Sequence, residues 1–230
     1  MSALLAKPLL WLAVTLIVFE AADHLSKRSH RHPLCHPVLL STPILIGLLL
    51  MTGTPYPTYA DATALLSFLL GPAVVGLAVP IWRQRALIRQ LARPIVLALS
   101  AGAVTAVVSA VGILALFGAP QEILASIAPR ATTTPVAMSV AEQLGGVPAL
   151  AAMIALFSGI VGGMTATPLF NAMRITDYRA RGFAVGVSAH GFGAARAFQV
   201  NSTAGGFASL GMALNALATA SLLSILALLT

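Results

Sequence analysis

The residues able to do chemistry in this chain are few, and most are cationic or hydroxylic. Arg130 stands in the run Ala128-Pro129-Arg130-Ala131-Thr132-Thr133-Thr134-Pro135, within an otherwise apolar region. A guanidinium at membrane depth costs several kcal/mol, which makes an intramembrane arginine a functional candidate. Its planar fork can hold a carboxylate through two parallel charge-assisted hydrogen bonds. Pro129 and Pro135 each remove a backbone donor and disfavour helix in the residue before. Thr132, Thr133 and Thr134 offer hydroxyls to the freed carbonyls or to a solute. The competing reading leaves Arg130 at an interface, its head among lipid headgroups.

A second constellation is Ser188-Ala189-His190-Gly191-Phe192-Gly193-Ala194-Ala195-Arg196. On an unbroken helix His190 and Arg196 project about 240° apart and nearly 9 Å along the axis. A break at Gly191 or Gly193 can bring them together, because glycine accepts the required φ values. His190, with an ordinary pKa of about 6.5, can carry a coupled proton, or it can simply make an interhelical hydrogen bond. The stretch from Leu70 to Pro80 contains Gly71, Pro72, Gly76 and Pro80 and also reads as interrupted. Hydrophobic segments broken by glycine or proline in both halves point to a transporter binding site.

Other groupings carry less. His24, His30, His32 and His36 crowd one loop beside Cys35 at spacings zinc can use, yet a solvated basic cytoplasmic loop is the preferred account of them, and no metal or cofactor is expected. Gly159 to Gly163 has the small-xxx-small spacing that lets helices approach closely, which makes it a packing feature and is compatible with a homodimer. No nucleophile/base pair, phosphate loop or paired acid is present, so an enzyme is not expected.

The elements that must position these residues are membrane helices. Of the 230 residues 58% are hydrophobic and only 8% charged, with a mean hydropathy of +0.94. An ordinary globular chain carries about 25% charge. At about 20 residues per span the length allows about seven to eight membrane segments. Apolar stretches run from Pro8 to Ala22, Pro37 to Met51, Ala62 to Ile81, Pro94 to Phe117, Val147 to Phe170, Phe183 to Val200 and Phe207 to Leu229, with a less apolar stretch from Ile123 to Leu144. The expectation is an all-α integral membrane protein, a single polytopic domain over 1–230 with halves at 1–118 and 119–230. Lys7 and the apolar run after it resemble a signal peptide only weakly, and we read an uncleaved first span.

The net charge of +7 comes from cations clustered between apolar runs, at Lys27, Arg28 and Arg31, at Arg83, Arg85, Arg89 and Arg93, and at Arg174, Arg179 and Arg181. That is the pattern of cytoplasmic loops and not of a nucleic-acid face. Placing these loops inside leaves an odd number of crossings between Glu122 and Arg174, where two segments compete. One must therefore re-enter on its own side, and the Arg130 segment is the candidate, since non-helical backbone at membrane depth needs surrounding protein or water. Pro37-Val38-Leu39-Leu40-Ser41 echoes Pro135-Val136-Ala137-Met138-Ser139 from an opposite starting side, as an inverted repeat requires.

Five ordered motifs, Gly71 to Pro80, Pro129 to Ala137, Gly145-Gly146-Val147-Pro148, Asn171 to Ile175 and Ser188 to Arg196, together resemble the CidB/LrgB membrane proteins over nearly the whole chain after the first span. The resemblance implies a bacterial cytoplasmic-membrane protein paired with a smaller CidA/LrgA-type partner, in a family named for holin/antiholin-like control of murein hydrolases. Relatives are also described as carriers of pyruvate, glycolate or glycerate. Arg130 stands where the family often has lysine, and Ala194 where it commonly has threonine. The expected function is transport of small organic anions, with Arg130, Thr132, Thr133, Thr134, Ser188, His190, Gly191, Gly193 and Arg196 at the site. Pro129, Pro135, Gly71, Pro72 and Pro80 are the expected helix breaks. The alternatives are an antiholin-like regulator of lysis that moves no solute and an ungated pore formed with the partner.

Overall fold

The structure, a computed structural model, describes residues 8–29, 35–76, 78–83 and 85–229. Among them the regular structure is entirely helical. The chain divides into two compact units, residues 1–76 and 77–230.

The first unit contains α1 (Pro8–Arg28), α2 (Pro37–Thr52), α3 (Tyr56–Ala62) and α4 (Ala64–Gly76). Both α2 and α3 pack on α1. Trp11 is buried edge-on against Tyr59, whose hydroxyl lies 3.1 Å from Thr15 Oγ1. His36 caps α2, its Nδ1 accepting from the Val38 amide. That imidazole therefore has a local structural use, whereas His30 and His32 lie outside the described residues. Gly71 and Pro72 fall within α4.

The second unit comprises α5 (Ala78–Arg83), α6 (Arg85–Gln90), α7 (Ala92–Leu116), α8 (Gln121–Ile127), α9 (Thr134–Gln143), α10 (Pro148–Ala172), α11 (Tyr178–Val200) and α12 (Ser202–Leu229). Pro80 lies inside α5. The helices α1, α7, α10 and α12 are long and apolar enough to cross a membrane. Their side chains explain how: Leu116 on α7 and Leu217 on α12 are 87% and 68% exposed, an arrangement that water penalises and lipid does not.

Two elements of this unit turn back on themselves. At 7 and 10 residues, α8 and α9 rise only about 10 to 15 Å each, well short of a 30 Å core. They pack on each other and are joined by the non-helical Arg130 segment. The base is closed by Ser126, whose hydroxyl donates to Glu122 O at 2.7 Å and accepts the Val147 amide at 2.8 Å. Gly146 is required there, since a Cβ would stand 2.8 Å from Ser126 N.

The second fold-back lies within α11. His190 has φ 38° and ψ −127°, outside the helical region. Positions 185 and 193 of a straight helix stand about 12 Å apart, yet a Cβ at Gly193 would come within 2.5 Å of Val185 O and 2.9 Å of Ala189 Cβ. Residues 178–189 and 191–200 are therefore antiparallel arms of a hairpin with His190 at its tip. The reading of Phe183 to Val200 as one apolar segment anticipated a break but not a reversal. From the base of this hairpin α12 runs parallel to the first arm, with Gly182 against Ala204, Gly186 against Ala208 and Gly211 against Phe183. A Cβ at Gly182 or Gly186 would overlap the facing backbone, so these contacts are backbone to backbone. Val185, Ala194, Ala197, Ala204 and Ala208 close the core between the three helical pieces.

Candidate functional site

The long helix α10 is the common wall. Its first turn abuts the base of the first hairpin at Val147. Thr167 and Phe170, near its other end, line a cavity shared with Tyr178, Arg181 and Val200 at the base of the second. The two hairpins thus approach from opposite ends, and their tips meet the middle of α10. From the first, Arg130 donates from a terminal guanidinium nitrogen to Ser158 Oγ at 3.2 Å. From the second, His190 Nε2 donates to Ala155 O at 2.9 Å, the carbonyl fixing the proton on that nitrogen. Gly159 makes room for the imidazole, because a Cβ there would stand 2.7 Å from His190 Cε1. Gly162 does the same for Ala189 at 2.7 Å. The small-residue spacing of α10 is accordingly spent inside this unit, against the second hairpin.

Beside the tips an open cleft of about 490 Å³ is lined by Arg130, Ser158 and Ser188, with Ile154, Phe157, Val161 and Gly162 as apolar wall. Arg130 is half-buried and, among the described residues, is the only ionisable side chain on this lining. One cation, two hydroxyls and an apolar wall suit a small monoanion: charge and hydrogen bonds at one end, hydrocarbon at the other.

Of the residues singled out in the sequence, Arg130 and Ser188 line this cleft, and His190 sits at the tip next to it, 3% exposed. Arg196 lies elsewhere, lining a cavity of about 30 Å³ near the hairpin base with Arg181 and Thr167. Its guanidinium donates to Gln199 Oε1 at 3.2 Å. Thr132 is fully buried and turns its hydroxyl onto Pro129 O at 2.8 Å. Thr133 is the N-cap residue of α9, with Thr134 and Pro135 in its first turn. Gly191 and Gly193 flank the tip.

Two polar residues were not singled out in the sequence. Ser158 is the contact of Arg130 on α10. Asn215, on α12, is fully buried and donates from Nδ2 to Ala131 O at 2.8 Å and to Val187 O at 3.1 Å, while its Oδ1 accepts from Thr219 Oγ1 at 3.3 Å. A signal for it existed: a lone asparagine in an apolar run has to find partners that lipid cannot supply.

Opposed helical hairpins meeting a long apolar helix near its middle, beside an open cleft that carries one cation, define a polytopic membrane protein. The profile of the LrgB-like family matches residues 15–229, and the chain belongs to that family. It is 32% identical to YwbG of Bacillus subtilis over 90% of this chain and 92% of the relative, and 34% identical to YxaC of the same organism over 88% and 90%. It is 26% identical to the holin-like protein CidB of Staphylococcus epidermidis over 96% of both chains. No solved structure matches the chain significantly. The protein is a multi-pass bacterial membrane protein of the CidB/LrgB type.

Proposed function

We propose that the chain carries small organic anions, carboxylates of the pyruvate or glycolate kind, across the membrane. The observation that carries this reading is the convergence of Arg130 from one hairpin, Ser188 from the opposed hairpin and Ser158 from α10 on a single cleft. Arg130 binds the carboxylate, Ser158 hydrogen-bonds its oxygens or an adjacent oxo or hydroxyl group, Ser188 joins by turning its hydroxyl from Ala184 O, to which it donates at 2.8 Å, and Phe157 and Val161 accept the short carbon chain. The start of α9 lies at the first tip, so its positive end adds to the attraction. With the basic loops inside, the first hairpin enters from outside and the second from the cytoplasm. That arrangement favours six crossing stretches, two re-entrant ones and an inverted internal repeat, and it lets the solute be reached from either side. A CidA/LrgA-type protein is the proposed partner.

The test is uptake of labelled pyruvate and glycolate by proteoliposomes, with and without that partner. Arg130→Gln should abolish saturable uptake and Arg130→Lys should retain part of it, the charge being kept and the fork lost. Full uptake by Arg130→Gln would remove this residue from the site, and flux that never saturates would replace the carrier with a pore. The holin-like name of the CidB relatives supports a second reading, regulation of lysis through a holin-like partner without solute movement. In that case cells carrying Arg130→Gln would keep wild-type lysis, and neither solute would enter the vesicles.

A further inference from the structure

We infer that Asn215 is the positioning residue of the site: one buried amide ties the two hairpin tips together from behind and thereby sets the spacing of Arg130 and Ser188. The bonding leaves it no other role. Its two Nδ2 protons are spent on the carbonyls of Ala131 and Val187, and its oxygen accepts from Thr219. With 0% exposure it reaches no solute. The carbonyls it holds belong to the chain neighbours of the two cleft residues, Ala131 following Arg130 and Val187 preceding Ser188. They come from segments far apart in sequence, and no other side chain among the described residues is shown bonding to both hairpin tips.

The geometry also explains the residue type. The two bonds need two N–H groups on one short planar side chain, which aspartate, serine and leucine lack. The two carbonyls only accept and so fix the amide orientation with Nδ2 towards them, which leaves Oδ1 to accept from Thr219, one helical turn further along α12.

The role rests on the carrier reading, so the experiment has one arm that needs no transport. Amide hydrogen exchange on purified Asn215→Ala and Asn215→Asp should show faster exchange at both 128–133 and 186–191. In proteoliposomes KM should rise about tenfold or more, the scale of two lost buried hydrogen bonds, with kcat per folded molecule changed far less. Ser209→Ala, which removes a fully buried hydroxyl bonded only within α12, should leave KM and both tips as they are. Should the Asn215 variants not fold, Thr219→Val keeps both Nδ2 bonds and loses only the donor to Oδ1, which leaves the buried amide less firmly held, and is expected to show the same pattern in milder form. Loosening at both tips together with raised KM supports the role. Unchanged exchange at either tip overturns it, as does loosening at both tips with wild-type KM. A wild-type protein that moves no carboxylate refutes the carrier reading alone, and the exchange arm then decides the clamp.

Discussion

Two glycines one turn apart on α10 should respond oppositely to the same substitution. Gly159 and Gly163 both face the second hairpin, and both are buried. A methyl on Gly159 would stand 2.7 Å from His190 Cε1, 2.8 Å from Nε2 and 3.2 Å from the Phe192 ring. A methyl on Gly163 would find its nearest neighbours, the Phe192 carbonyl and the Gly193 amide, at 3.7 to 4.0 Å, ordinary contact. The helix itself gains up to about 1 kcal/mol from glycine to alanine at either position. At Gly159 that gain is opposed by about 1 to 3 kcal/mol of overpacking. Displacing the imidazole also breaks its bond to Ala155 O, leaving a buried donor and acceptor at a further cost of about 1 to 3 kcal/mol. The expected net is a loss of roughly 1 to 6 kcal/mol for Gly159→Ala and a change between zero and about 1 kcal/mol of gain for Gly163→Ala. Thermal unfolding of the two proteins in one detergent should show Gly159→Ala melting well below wild type and Gly163→Ala at or above it. Equal melting temperatures, or the reverse order, would refute the placement of His190 against α10.

Gly193→Ala should prevent folding of the second hairpin, because the new Cβ meets the Val185 carbonyl; were residues 178–200 a straight span, the change would be harmless, and the yield of folded protein from membranes separates the two. Ser126→Ala should leave the Val147 amide without its acceptor, at about 1 to 3 kcal/mol, seen as faster amide exchange around 145–149. Asp177 caps α11, accepting from the Arg179 amide at 2.8 Å and pairing with its guanidinium. That hydrogen bonding holds its carboxyl below the usual aspartate range. A depressed folded pKa means the contribution is present above the ordinary value of about 3.9 and lost as pH falls through the lower one. Asp177→Asn should therefore abolish a small acid-side loss of exchange protection at 178–181 that wild type shows.

Much of the architecture was legible because its causes are local. Pro129, Pro135 and three threonines in a row announce a broken segment, and the structure has two short helices joined by non-helical backbone there. The second hairpin was half legible. Gly191 and Gly193 mark the break, but the reversal depends on Gly182, Gly186 and Gly211, whose reason is the backbone of a neighbouring helix, a tertiary fact that an apolar run does not display. The break also falls on His190, a residue with a side chain at φ 38°, where only surrounding structure can hold it. Function was inferred too evenly across the threonines: Thr132 serves Pro129 O, while Ser158, an unremarkable serine on an unbroken helix, reaches Arg130. The resemblance between Pro37 to Ser41 and Pro135 to Ser139 coincides with two helix starts, each with proline in the first turn, which is enough by itself to produce similar residues.

The polar residues scattered through the apolar helices follow one physical rule. A chain that breaks its helices away from water must find partners for the released carbonyls, since each one left bare costs several kcal/mol. Pro129 O is served by Thr132 within the same tip. Ala131 O and Val187 O, on different hairpins, are both served by Asn215 from a third helix. With these carbonyls occupied, the negative ends of the broken helices are blunted while the charge of Arg130 remains at the cleft. The cleft is therefore left with one cation, which is what the proposed anion site requires.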